Sequence, residues 1–150
     1  MYSIPSNIEQ EIRDADLVIG AVLIPGAAAP KLVTRRHLKM MKPGAVVVDI
    51  SVDQGGTFET TRPTTHADPI FIEEGIVHYC VANMPGAVSL SSTLALTSVT
   101  NRYGMLVADL GVEKALSVSR PIRAGLNCHT GRLTNRAVAE AHKLEYAEVL

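Results

Sequence analysis

The sequence is short of the features that announce a specialised class. It has no tryptophan, aromatics make up 4% of its 150 residues, and cysteine occurs twice. Cys80 and Cys128 lie too far apart for a close-spaced metal motif, and nothing about them requires an oxidising compartment. Cys80, inside an apolar run, reads as a small core residue; Cys128 reads as part of a Gly/Asn loop. An excess of one charge is missing too. Fourteen Lys and Arg against fifteen Asp and Glu leave −1, which argues against a nucleic-acid partner. Arg35, Arg36, Lys39 and Lys42 form the one basic cluster and read as a solvated helix face rather than a phosphate patch. No apolar stretch approaches membrane-spanning length, and the start lacks the charged and apolar regions of a secretory signal. The expectation is a cytoplasmic protein with no membrane partner and no metal.

What is present is a 47% hydrophobic chain whose core must be built from Ala, Val, Leu and Ile. At this length a single domain buries roughly two thirds of its unfolded surface. Ser6-Asn7-Ile8-Glu9 fits a capping box opening a short helix to about Asp14. Asp16 then opens an apolar run, Leu17 to Ile24, closed by Pro25-Gly26. Thr34 can cap a helix through Met41, ended by Pro43-Gly44. A strand follows, and the order helix, strand, helix, strand implies right-handed crossovers and a parallel sheet. Ile76 to Val81 reads as a third strand, after an irregular stretch from Thr57 to Gly75 whose prolines forbid a long helix. Beyond Gly86, Leu96, Val99, Tyr103, Leu106 and Leu110 repeat at helical spacing along Ser89–Leu110, with Gly111 as the stop. Gly104 inside it marks either a close helix contact or a bend. Val112–Val118 reads as a further helix, Pro121–Gly131 as a loop and Thr134–Lys143 as the last helix.

The chain is organised around Ala45–His66. Val46 to Ile50 has no polar alternation and reads as a strand buried on both faces. It stops at Ser51-Val52-Asp53-Gln54-Gly55-Gly56, where adjacent glycines free the backbone. In parallel α/β sheets ligands bind outside the carboxyl ends of the strands, so a carboxylate there suits chemistry. A surface turn in which Asp53 only caps the next segment fits the same residues. Three strand ends, Val22–Gly26, Ile50–Gly56 and Val81–Pro85, should share one rim. The Gly-x-Gly-x-x-Gly that opens a dinucleotide-binding βαβ unit does not occur, yet these three ends look like the second half of that fold.

Ala15 to Gly26, Asp53-Gln54-Gly55-Gly56, Arg62-Pro63-Thr64-Thr65-His66 and His78 to Val88 closely resemble the alanine dehydrogenase family, in residues and in spacing. The related proton-translocating transhydrogenases share the layout but not the Arg-Pro-Thr-Thr-His segment. The resemblance implies an α/β fold, the second half of a Rossmann-like parallel sheet followed by C-terminal helices. Residues 1–87 would be half of an NAD-binding domain, and 88–150 a helical segment that packs on a substrate domain. The implied activity is oxidative deamination of L-alanine to pyruvate and ammonia with NAD, and its reverse. Position by position, Val22 and Leu23 would line the adenosine or ribose side of the cofactor. Ile50, Ser51, Val52 and Asp53, with Val81, Ala82, Asn83 and Met84, would touch the nicotinamide half, and Arg62 would reach it from its loop. Asp53 matches the catalytic aspartate; a carboxylate beside the nicotinamide can orient water against an imine and take its proton.

The resemblance also exposes gaps. The family's substrate domain, with its Arg, Lys and His groups, and the glycine fingerprint have no counterpart here. His66 and His78 read as loop and strand residues, not as replacements. After Val88, Ser89-Leu90-Ser91-Ser92-Thr93, Ser98 to Tyr103 and Cys128-His129-Thr130-Gly131 depart from the family's usual pattern, and the metal site of some relatives has no matching ligands. Two functions therefore compete. One is part of an NAD-linked alanine dehydrogenase, incomplete as a stand-alone catalyst. The other is a truncated or split-gene module that binds a nucleotide without catalysis and assembles with itself or with a companion chain supplying the rest.

Overall fold

The computed structural model describes residues 4–148 and divides into two compact units, Met1–Met84 and Pro85–Leu150. The first is the α/β part. Its opening helix α1, Pro5–Ile12, starts differently from the capping-box expectation: Ile4 is the N-cap and makes no side-chain cap. Pro5 at the first helical position presets the backbone and has no amide to satisfy, so no box is needed. The first strand β1 is Leu17–Gly20, shorter than the apolar run, which continues as loop through Ile24. Helix α2 covers only Arg35–Leu38, behind Thr34 as N-cap, whose amide donates to His37 Nδ1 at 3.1 Å. Strand β2 is Val46–Asp49.

The stretch after Thr57 is less irregular than expected. Ile70–Glu73 forms β3, paired antiparallel with β4, Ile76–Tyr79, across Glu74-Gly75. Both turn residues take positive φ, 54° and 77°. The sheet order is β1-β2-β4-β3, with β1, β2 and β4 parallel, as the crossover rule requires. Val47 pairs with Val18 on one side and His78 on the other.

One face of this sheet carries the core. Val47 and Ile76 pack with Ile12, Leu38 and Phe58. The other face is open: Leu17, Ile19, Ile70 and Ile72 are exposed, and Val46, Val48 and Val77 half-buried. β2 is thus fully buried on one face only, which corrects the two-faced reading. An apolar run records that both faces suit burial, not that this polypeptide covers both. The basic cluster is neutralised in place: Arg35 pairs with Glu73 and Glu74, Arg36 with Glu9, and Lys42 with Asp16.

The second unit begins with a short 3-10 turn and α3, Ser89–Leu110, stopped by Gly111 at φ 74°. Then come α4, Val112–Val118, and α5, Arg120–Ala124, where a loop was expected. Ser119 caps α5 and Pro121 sits in its first turn, so the proline starts a helix instead of forbidding one. A small hairpin of β5, Cys128–His129, and β6, Arg132–Leu133, precedes α6, Arg136–His142, capped by Asn135. No described residue of α3 is buried.

Candidate functional site at the strand ends

Because β1, β2 and β4 run parallel and side by side, the three loops that leave their carboxyl ends share one rim. Hydrogen bonds tie them together. Ile50 N donates to Gly20 O at 2.8 Å, and Ser51 Oγ donates to Val22 O at 2.7 Å. The Arg62–His66 segment joins from the β4 side. Thr64 N donates to Cys80 O at 2.9 Å, Ala82 N to Thr64 O at 3.2 Å, and His66 Nε2 to Asn83 O at 3.0 Å.

The rim residues divide by what they offer a ligand. Asp53 stands exposed on a 3-10 turn, Val52–Gln54, and its carboxylate makes no hydrogen bond or ion pair with a described residue. Leu23 and Ile50, 64% and 56% exposed, are apolar surface on either side of the Ser51–Val22 link. Asn83 is exposed at φ 60°, a left-handed conformation that Asn tolerates better than other side chains. Val22, Ala82 and Met84 are half-buried. Ser51, Val52 and Val81 are buried: the Ser51 hydroxyl is engaged, and Val52 packs with Phe71 and Cys80. Whatever Val52 and Val81 give to a ligand comes from their main chain.

Arg62 is exposed, and its guanidinium lies 4.0 Å over the Phe71 ring. Phe71 in turn stacks on His78 with centroids 4.6 Å apart. His78 is completely buried on β4; its Nδ1 donates to Ile76 O at 2.9 Å and its Nε2 accepts from Thr60 Oγ1 at 2.7 Å. Burial holds its pKa below the usual histidine range, so the ring is a neutral support for Arg62 and not an acid or base. Burial first, then the charge of nearby Asp49, pushes the Cys80 thiol up to about 11. It is an inert core residue.

The glycine pair after Asp53 is required twice over. Gly55 and Gly56 sit at φ 95° and 80°, and a Cβ on Gly56 would come within 2.7 Å of Asp49 Oδ2. Sequence reading passed over Asp49 itself, together with Lys31, Thr61 and Phe71. The signal for Asp49 was available: a carboxylate ending an apolar strand must find several donors. Among the described residues no cluster of His, Cys, Asp or Glu could hold a metal ion, and no helix is long and apolar enough to cross a membrane.

Comparison with known proteins agrees with this geometry. The model of the family described as "Alanine dehydrogenase/PNT, C-terminal domain" matches residues 1–136. An alanine dehydrogenase of Halomonas elongata is 57% identical over 148 residues, covering 99% of this chain and 40% of the relative. Alanine dehydrogenase 2 of Staphylococcus aureus is 53% identical over 150 residues, with the same coverage. Among solved structures, an L-alanine dehydrogenase superposes with TM-score 0.77 at 44% identity, over 95% of this chain and 39% of that one. A transhydrogenase from Sinorhizobium meliloti superposes at 0.64 and 27% identity, over 89% and 36%. The chain thus spans about 40% of the length of the curated relatives it matches. Its parallel sheet, its strand-end rim and these similarities place the chain in the alanine dehydrogenase/PNT family, as a counterpart of the C-terminal domain.

Proposed function

We propose that this chain supplies the nicotinamide side of the NAD site in an L-alanine dehydrogenase, acting with a further polypeptide that carries the substrate-binding groups. The observation that carries the reading is the adjacency of the three parallel strand ends, with a free carboxylate, Asp53, between two flanking loops. The residues fit such a cofactor. Leu23 and Ile50 offer apolar walls, Asn83 an amide, and Arg62 a cation at the loop edge. NAD supplies the hydride acceptor.

The net reaction takes L-alanine, NAD+ and water to pyruvate, ammonium, NADH and one proton. A proton leaves the substrate ammonium and hydride leaves Cα for NAD+, giving an iminium; water attacks its carbon, and the proton taken from that water passes to the nitrogen as ammonia departs. Asp53 holds that water and takes its proton as the carbon–oxygen bond forms; a solvated carboxylate without a partner is suited to both tasks. The Arg62 guanidinium rests on the Phe71 ring at the edge of this surface.

The need for more polypeptide rests on three features of the first unit. Among the described residues no strand pairs with the outer side of edge strand β1, and the open sheet face is apolar. A hollow of about 450 Å³ runs beside β1, lined by Ile8, Ile12, Val18 and Phe58 among others. Thr57 also lines it, with a buried hydroxyl that has no hydrogen-bond partner among the described residues. A strand added at β1 would pair the edge and cover the hollow. A second reading, a nucleotide-binding or assembly module without catalysis, is favoured by the open apolar sheet face, which suits self-association.

One experiment separates them: NADH formation from L-alanine and NAD+ by this chain supplied with the part of the alanine dehydrogenase relative that it does not cover, run beside thermal unfolding of the chain with NAD+. Ligand at 100 times its Kd would stabilise the fold by about 2.7 kcal/mol. Turnover together with thermal protection supports the dehydrogenase. Protection without turnover, even at high protein concentration, supports the binding module, and neither effect removes both readings.

A further inference from the structure

Asp49 ends β2 with a carboxylate that is 0% exposed and has no cation within ion-pair distance among the described residues. A buried carboxylate persists only when hydrogen bonds replace its water. Every donor to Asp49 comes from the loop that begins two residues later. Ser51 N donates to Oδ1 at 3.0 Å; Thr57 N and Phe58 N donate to Oδ2 at 2.7 and 3.3 Å; Thr61 Oγ1 also donates to Oδ2. One side chain therefore gathers both ends of 51–61, leaving Asp53 on the exposed turn between them and Arg62 next in sequence.

The loop's carbonyls are gathered from the opposite sign. Lys31 Nζ donates to Gly55 O and, at 3.0 Å, to Phe58 O. Ala29 N adds a bond to Gln54 O at 2.7 Å. The anion takes amides and the cation takes carbonyls of one eleven-residue loop, 51–61. Gly56 lets them close on it, since any Cβ there would strike Asp49 and Thr61.

We propose that Asp49 and Lys31 are positioning residues of the strand-end site: a two-sided clamp that fixes where Asp53 and Arg62 stand, without touching the ligand. The proposal rests on the reading of this rim as a dinucleotide site. Asp49→Asn keeps the shape but replaces one acceptor oxygen with an N–H₂ that faces donors. Lys31→Met keeps the apolar stem and removes the donor.

The test is amide hydrogen exchange on the 150-residue chain and its two variants, with NADH titrated against each and followed by its emission. In Asp49→Asn the amides of Ser51, Thr57 and Phe58 should exchange about 100-fold faster while Val47 and Val48 in the ladder keep their protection. NADH affinity should fall at least about tenfold, the scale of one lost charge-assisted hydrogen bond. Lys31→Met, a surface change that leaves the core intact, should shift both readouts in the same direction by about threefold. Equal acceleration of loop and ladder would make Asp49 a general structural residue and overturn the proposal. So would unchanged loop exchange in both variants, or Asp49→Asn binding NADH as tightly as the parent. If the parent binds no NADH, the nucleotide reading fails, and the exchange pattern alone decides whether the clamp exists. Should Asp49→Asn not fold, Lys31→Met decides by the same criteria.

Discussion

The two units of this chain spend their apolar residues in opposite ways. The first buries Phe58, Leu38, Val47 and Ile76 in one cluster and anchors its loops on buried polar groups. The second extends a 22-residue helix, α3, with Leu90, Leu94, Leu96 and Val99 at 56–73% exposure. A helix draws most of its stability from packing an apolar face, so α3 stands on propensity and backbone hydrogen bonds within its unit. The difference teaches that the strand-end rim has what it needs to hold its shape, whereas α3 presents surface suited to a cover.

The sharpest way to break this contrast is a matched pair of truncations. Phe58→Ala, at a residue with no exposure, should cost about 3–5 kcal/mol. Leu94→Ala, at 62% exposure, should stay within about 0.5 kcal/mol. Urea unfolding followed separately by probes in each unit measures both. Comparable losses would show that α3 is packed and that the contrast is false.

Glycines sharpen it next. Gly56→Ala forces a Cβ onto Asp49 at φ 80° and should destabilise the first unit by about 1–3 kcal/mol. Gly104→Ala in α3 meets nothing within 4 Å and should stabilise its helix by about 1 kcal/mol. Thermal unfolding of the two variants checks the opposite signs. Of the two meanings offered for Gly104, a close contact has no support within its unit.

A third effect is smaller and pH-dependent. The folded pKa of His78 lies below its ordinary value of 6.5, so the unfolded chain takes up a proton first as pH falls. Stability from the neutral ring is full above about 6.5 and is lost as pH drops through that value towards the folded pKa. His78→Phe, which keeps an aromatic ring against Phe71, should flatten this slope in the first unit and leave the pH dependence of α3 unchanged. Denaturation midpoints measured between pH 5 and 8 read the slope directly.

How far the sequence discloses this molecule follows from the same contrast. The parallel strands were legible because Leu17–Gly20, Val46–Asp49 and Ile76–Tyr79 are apolar runs closed by turn residues. Helix α3 was legible from its spacing and from Gly111. Strand β3 was missed because Pro69 precedes it and only four residues form it, so antiparallel pairing with β4 and not local pattern makes it a strand. The capping box at Ser6 was wrong because Pro5 already sets the first turn. At the rim, Asp53 announces itself by its position before two glycines. Asp49 does not, because its role lies in donors up to 12 residues away that only the folded loop brings together. The Arg62–Phe71–His78 stack is hidden for the same reason.

The three strand ends are proposed to form one surface for the dinucleotide. Titration of the ¹⁵N-labelled chain with NAD+ tests it directly. Saturable shifts are expected at the amides of Val22, Ser51, Asp53 and Asn83, with those of α3 unmoved. Shifts confined to one strand end, shifts centred on the second unit, or no saturable shift at all would contradict it.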